Sequence, residues 1–181
     1  RTLRAWRLRF ESAREQLQIA NAYFVPTPAI AAALKAAASR CVSVLLLSNS
    51  PETNDLPEIT LVGRGYYKDL LAVNESTEVR SCANPDAGLR IWEWVGQAAD
   101  EPARNQGTMH SKFAVFDAER SLVGSYNLDP RSEKLNSETA VVFLQPDLAR
   151  QLRMKFLDED LRYAREVTPE EAARFEAPDS V

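Results

Sequence analysis

The chain holds a single histidine, His110, and the residues spaced around it limit what that imidazole could do. From Gly107 the sequence runs Gly-Thr-Met-His-Ser-Lys-Phe-Ala-Val-Phe-Asp to Asp117. It continues through Gly124-Ser125-Tyr126-Asn127, and Glu138 follows a short distance later. Side chains two apart on a strand share a face, so His110 and Lys112 are expected to project together from a strand over Met109 to Phe116. The alternate residues Met109, Ser111, Phe113 and Val115 then form a largely apolar row that can face a core. A histidine and a lysine near Ser125 and Asn127 make a pocket rich in donors and positive charge. Such a pocket suits a phosphodiester anion and the added charge on its oxygens at a pentacovalent transition state. Glu138 is expected to hold the imidazole through its other nitrogen, fixing tautomer and orientation.

These groups need a scaffold, and the flanking pattern is that of an α/β layer structure. Leu3, Trp6, Phe10, Ala13 and Leu17 recur at helical spacing, which predicts an amphipathic helix over 2–17. A strand-like run from Leu17 to Phe24 stops at Val25-Pro26-Thr27-Pro28, where Thr27 and Pro28 signal a helix to about Arg40. Val42 to Leu47 is a continuous apolar run, as for a strand covered on both faces. Helix, strand, helix, strand in that order predicts a mostly parallel mixed sheet flanked by helices. Further on, helix is expected over Ile59–Val73, strands over Arg90–Val95, 121–123 and Thr139–Leu144, and an exposed, mobile loop from Gln97 to Gly107. Asp147 is read as the cap of a final long helix whose stripe of Leu148, Leu152, Phe156 and Leu161 packs on the sheet. Pro169 to Phe175 closes the chain as a short helix. Tyr23 and Phe24 are read as core.

With 181 residues, the chain is expected to form one domain over 1–181 with a proper core. A formal charge of −4 argues against nucleic acid as a partner, whose phosphates call for a basic surface. Cys41 and Cys82 have neither metal-like spacing nor the look of a disulfide framework, and Cys41 is expected to be buried beside Val42. No cluster of metal ligands stands out in the sequence. The opening residues have the look of a cut within a longer protein.

The pattern H-x-K-x4-D-x6-G-S-x-N resembles the HKD motif of the phospholipase D superfamily. Given the histidine, the other fixed positions would match by chance on the order of once in a million. Around it, Asn127-Leu-Asp-Pro-Arg-Ser132 with Leu135-Asn-Ser-Glu138 is similar to bacterial cardiolipin synthases and phosphatidylserine synthases. Ala22-Tyr-Phe-Val-Pro26 resembles the strand end that leads into the pocket in the same group.

The resemblance implies a phospholipase D-like layered fold and phosphatidyl transfer on glycerophospholipids, with His110 forming a phosphohistidine. It implies that Lys112 and Asn127 bind the phosphoryl oxygens, that Ser125 supports the pocket and that Glu138 is the acid paired with the nucleophile. Asp117 and Gly124 are implied to be structural. Arg131 is left open between a ligand for a headgroup phosphate and a solvated ion-pair partner.

The reaction needs no metal or cofactor but uses two histidines, and this chain has one. A second HKD lobe is therefore expected, either the missing N-terminal half of a longer protein or a homodimer partner. The resemblance places the protein in bacteria, in the cytoplasm or peripheral to the inner membrane. A phosphodiesterase or nuclease using the same site, and a non-catalytic scaffold lobe, are the competing readings.

Overall fold

The computed structural model describes residues 6, 9–105 and 107–175. Residues 9–12 are helical, and the chain has already entered strand β1 (Gln16–Asn21) where the helix predicted over 2–17 was to end. Residues 13–15 are not helical, and of residues 2–8 all but Trp6 lie outside the described residues. Pro28 then opens α1 (Pro28–Ser39), and β2 (Ser43–Asn49) is buried along its whole length. Two short helices, α2 (Pro57–Arg64) and α3 (Tyr67–Leu71), a 3-10 turn and α4 (Thr77–Arg80) lead to β3 (Gly88–Trp94).

The rest of the sheet comes from β6 (Lys112–Phe116), β7 (Arg120–Gly124), β8 (Ala140–Phe143) and β9 (Ala164–Glu166). Between β7 and β8 lies α5 (Pro130–Lys134). After β8, α6 (Pro146–Met154) runs into a π-helical turn (Lys155–Asp160), and α7 (Pro169–Ala172) follows β9.

The strand order is β8-β7-β6-β1-β2-β3-β9, a seven-stranded mixed sheet flanked by helices. Its parallel share is smaller than the helix-strand alternation predicts. Only β1–β2 and β2–β3 pair in parallel, while β1–β6, β6–β7, β7–β8 and β3–β9 are antiparallel. The reason lies in connection length, since a tight turn such as that from Phe116 to Arg120 can join only antiparallel neighbours.

Each face of the sheet has its own core. Leu17, Ile19, Val44, Leu46 and Ile91 pack with Phe10, Leu34 and Tyr126 on one side. On the other, Ala20, Leu45, Leu47, Phe113 and Val115 meet Ala149 and Phe156, with Leu152 and Leu161 against them. Leu152, Phe156 and Leu161 of the predicted stripe thus pack on the sheet. Asp147 does not cap that helix: Gln145 holds the cap position, and Asp147 pairs with Arg150 in the first turn.

Two further expectations need correction. Residues 97–105 fold into a ribbon of β4 (Gln97–Ala98) and β5 (Glu101–Asn105), not a featureless loop. The ribbon is tied to the body by Arg162, which bonds Asp100 and Glu101, so ion pairs replace the apolar periodicity that a sequence reading looks for. Cys41 is partly exposed and forms a disulfide with Cys82, with Cα atoms 5.5 Å apart. A left-handed turn at Cys41 (φ 67°) after α1 aims the residue at the segment following α4. Nothing in the local sequence signals that approach.

Candidate active site

The motif residues gather at one end of the sheet. Asn21 ends β1, Asn49 ends β2, Gly124 ends β7, and Lys112 opens β6 directly opposite Asn21. The loops after β1 and β7 and the segment before β6 therefore converge outside the carboxyl ends of parallel strands, where open α/β sheets place their ligands.

His110 is exposed and sits in an extended segment just before β6, not within the strand. That segment is fixed almost residue by residue. Trp94 Nε1 donates to the Gly107 carbonyl at 2.7 Å, and Thr108 Oγ1 donates to the Thr53 carbonyl at 2.5 Å. Asn49 accepts from the Met109 N–H at 3.0 Å and donates through Nδ2 to the Met109 carbonyl at 2.8 Å. The imidazole is thus presented on a backbone held from three sides.

Lys112 is only 9% exposed, and its Nζ donates to the His110 carbonyl at 3.1 Å. The same ammonium lies 5.7 Å from the centroid of the Tyr23 ring. That ring meets His110 edge-on, with centroids 6.0 Å apart and planes at 77°. Tyr23 Oη donates to Asp55 Oδ1 at 2.6 Å. Tyr23 is therefore a wall of the site, a correction to its reading as core, while Phe24 is buried as expected. Alternation separates the two: Phe24 turns inward to the cluster around Tyr67, so Tyr23 turns out to the motif.

The second group of residues is organised around Glu138. Its carboxylate accepts from Ser125 Oγ, from Ser132 Oγ at 3.0 Å and from Asn136 Nδ2 at 3.1 Å. Through Ser132 this carboxylate also reaches Asn127. Ser132 Oγ, which donates to Glu138, accepts from the Asn127 N–H at 3.1 Å. Buried Asn21 braces the same loop, donating to the Tyr126 carbonyl at 3.2 Å and accepting from the Leu128 N–H at 2.9 Å. Asp129 Oδ1 accepts from the Ser132 N–H at 2.7 Å and so caps α5, which carries exposed Arg131. The Arg131 charge acts on the Tyr23 phenol, which places it near the mouth of the site.

Gly124 has no room for a side chain, because a Cβ there would lie 2.3 Å from the Thr139 carbonyl oxygen. Asp117 is at the far end of β6. It accepts from the N–H groups of Arg14, Glu15 and Gln16 at 2.9–3.1 Å through Oδ1 and pairs with Arg120.

Burial pulls the Lys112 pKa below its ordinary value, against the opposing pull of Glu138, Asp55 and Asp129. Burial alone would raise Glu138, but hydrogen bonds from Ser125, Asn136 and Ser132, with the Lys112 charge, bring it below the usual carboxylate value. Burial, then the bond to Asp55 and its charge, push Tyr23 up to about 12. The arrangement sets an exposed imidazole next to the buried ammonium of Lys112, a pairing suited to a phosphoryl group.

A family model described as "Cardiolipin synthase, PLD-like domain" matches residues 8–160. The chain belongs to the phospholipase D-like family. Among curated relatives, the probable cardiolipin synthase YwiE of Bacillus subtilis is 30% identical over 158 residues, 87% of this chain and 26% of that protein. Cardiolipin synthase 2 of Bacillus cereus is 31% identical over 156 residues, 86% of this chain and 25% of that protein. The phospholipase D-like chain described here thus spans about a quarter of the length of these relatives.

Among solved structures, phosphatidylserine synthase of Haemophilus influenzae superposes with a TM-score of 0.71 at 14% identity, over 97% of this chain and 38% of that one. Nuc of Salmonella typhimurium, a phospholipase D family member, gives 0.58 at 22% identity, over 90% and 89%. At such identities these two likenesses bear on the fold alone. Among the described residues no helix is long and apolar enough to cross a membrane, and no group of three or more His, Cys, Asp or Glu could hold a metal ion.

Sequence reasoning missed Asn21, Asn49, Asp55 and Ser132 as parts of the site. The available signal was a pair of asparagines closing two apolar strands, a polar residue where the run is otherwise fit for burial.

Proposed function

We propose that this chain is one catalytic lobe of a phosphatidyl-transferring enzyme of cardiolipin synthase type, with His110 as its nucleophile. An imidazole nitrogen of His110 forms the P–N bond while the P–O bond to the leaving alcohol breaks. The proton for that alcohol comes from the histidine of a second motif lobe. An acceptor alcohol then attacks the phosphohistidine, gives its proton to the same second histidine and leaves His110 free. Lys112 and Asn127 hold the phosphoryl oxygens through both steps, and Ser125 and Glu138 keep Asn127 in place.

The observation that carries this reading is the exposed His110 imidazole beside the buried ammonium of Lys112, at the converging strand ends. The lipid assignment is supported by the cardiolipin synthase relatives, which are more than three times as long as this chain and so have room for the second lobe. A symmetric homodimer is the other source of that lobe. Exposed Val123 and Val141 pair across β7 and β8 close to Ser125 and give an apolar patch that a second lobe would cover. The protein is proposed to act peripherally at a bacterial membrane.

A nucleic-acid phosphodiesterase using the same site is the second reading, and a net charge of −4 opposes it. The test is turnover of phosphatidylglycerol vesicles and of single-stranded DNA by the complete assembly, with acid-labile labelled enzyme trapped by rapid quench. Lipid turnover and trapped label should both vanish in His110→Ala. Residual lipid activity above about 1% argues against the nucleophile, and DNA cleavage without lipid turnover argues for the second reading.

A further inference from the structure

The second face of the sheet changes character along its strands. Toward the motif end it is apolar, with Ala20, Leu47 and Trp94 in one cluster with Phe113 and Phe156. Toward the other end, alternation puts Gln16 and Gln18 of β1, Ser43 of β2 and Arg90 of β3 on that same face. Gln18, Leu45 and Arg90 lie side by side in one row across the three strands. Together with Arg153 of α6 and Leu157 of the π-helical turn, this row lines a cavity of about 360 Å³. Gln18 is only 2% exposed, and a polar group buried on a face otherwise fit for a core calls for a reason. Its Nε2 donates to Gln16 Oε1 at 3.0 Å, and Arg153 Nε donates to the same oxygen at 2.8 Å. Among the described residues Gln18 Oε1 has no donor. That oxygen is shut off from water, but the terminal torsion of a glutamine is soft, and a small turn offers it to an occupant of the cavity. The π-helical turn over the cavity is a further mark, since such turns recur at functional sites.

We propose that this cavity is a second binding site, separate from the motif, for a small hydroxylated phosphate monoester. The guanidinium groups of Arg90 and Arg153 supply fixed charge and forked donors for the phosphate. The acceptors are Gln18 Oε1 on the sheet and the exposed carboxylates of Glu15 and Asp86, with Asp86 Oδ1 4.0 Å from Arg90. These acceptors call for hydroxyl donors, and the two acids disfavour a second anionic group on the ligand. One phosphate with adjacent hydroxyls, in a molecule the size of glycerol phosphate, satisfies both sets, and the cavity volume is in the range that holds small ligands. A site built to bond a hydroxyl discriminates against analogues that lack it, because its polar groups are then left unpaired. Gln16 opens the strand that Asn21 closes, so the cavity begins roughly 17 Å from the motif end of β1. The proposal is independent of the transfer reading.

The experiment measures binding of glycerol phosphate, inorganic phosphate and glycerol to the complete assembly by isothermal titration calorimetry. It compares the unaltered protein with Arg90→Gln, Arg153→Gln, Gln18→Leu and Lys112→Met, each checked for folding by thermal melting. Glycerol phosphate should bind, and either arginine variant should weaken it about tenfold or more, the worth of a hydrogen bond to a charged group. Gln18→Leu should cut the preference for glycerol phosphate over inorganic phosphate about fivefold. Lys112→Met should leave the affinity within about twofold, since that residue serves the other site. Affinity lost in Lys112→Met and kept in both arginine variants moves the phosphate to the motif and overturns the proposal. So does equal affinity for inorganic phosphate and glycerol phosphate in the unaltered protein, because no hydroxyl is then recognised. Absence of glycerol phosphate binding at about 10 mM overturns it outright, whatever the turnover at His110.

Discussion

Asn49 brackets Met109 on both sides of its peptide unit, accepting from its N–H at 3.0 Å and donating to its carbonyl at 2.8 Å. A single side chain at the end of β2 thereby fixes the residue immediately before His110. Asn21, at the end of β1, does the same for the loop that carries Asn127, through Tyr126 and Leu128. The two parallel strands at the centre of the sheet thus end in amides that each clamp one half of the site.

If these clamps position the chemistry, Asn49→Ala should cost more in rate than in stability. Losing two buried hydrogen bonds to Met109 and a third to the Ala22 carbonyl is worth about 2–4 kcal/mol, read by urea denaturation. Misplacing His110 by about 1 Å should lower kcat roughly a hundredfold in protein that remains folded. A variant that loses stability but keeps kcat would reduce Asn49 to a structural amide.

Lys112 makes the opposite trade. Burial lowers its pKa in the folded protein, so between the folded and unfolded values the unfolded chain binds more protons and stability rises with pH. Below that window the charged, desolvated lysine opposes folding. Lys112→Met is therefore expected to melt above the unaltered protein at pH 7 while losing nearly all activity. The gap should narrow as the pH rises to about 10 and close only above the unfolded-state pKa of about 10.4, where the lysine is neutral in both states. Melting curves at pH 7, 8.5 and 10 decide it. A methionine variant less stable than the parent at every pH would mean that the bond to the His110 carbonyl outweighs desolvation.

The Cys41–Cys82 disulfide spans 41 positions and ties the end of α1 to the segment after α4. In the chain-entropy account, closing a loop of that size stabilises by roughly 3–4 kcal/mol. Reduction, or Cys41→Ser with Cys82→Ser, should lower the urea midpoint accordingly. Both cysteines lie away from the motif residues, so kcat in the folded fraction should hold. An unchanged midpoint after reduction would show that the packing of α1 alone fixes this region.

What the sequence made legible follows from range. The pattern from His110 to Asn127 is local, and so are the Thr27-Pro28 start of α1 and the two-sided burial of β2. The Asn49–Met109 and Asn21–Tyr126 bonds cross 60 and 105 positions, and nothing local to an asparagine tells which loop it will clamp. Cys41 with Cys82 hides for the same reason. Glu138 shows a subtler limit. Its spacing singles it out, but no local pattern announces the bonds it accepts from Ser125, Ser132 and Asn136 on the Asn127 side of the site. The mostly parallel sheet failed because the order of elements was weighed above the tight turn at 117–119, which forces β6 and β7 to run antiparallel.

Asp117 carries the most separable prediction, because it belongs to the motif but sits at the wrong end of β6 for chemistry. The strand from Lys112 to Phe116 puts it on the order of 15 Å from the site. It occupies a left-handed conformation (φ 54°), as does Ala118 (φ 52°), in the turn that starts β7. There Oδ1 collects the N–H groups of Arg14, Glu15 and Gln16, which open β1 and would otherwise lack partners at the sheet end. Asp117→Ala removes the acceptor and the ion pair to Arg120 together, and should cost about 2–4 kcal/mol in urea denaturation. Asp117→Asn keeps an oxygen in the same place and tolerates the positive φ, so it should recover at least half of that loss. In both variants kcat, measured well below the melting temperature, should stay within about threefold of the parent, since β6 is anchored on both sides by β1 and β7. A loss of a hundredfold or more in the folded asparagine variant would mean that strain at this turn is transmitted along β6 to Lys112. The motif aspartate would then be a positioning residue and not a staple.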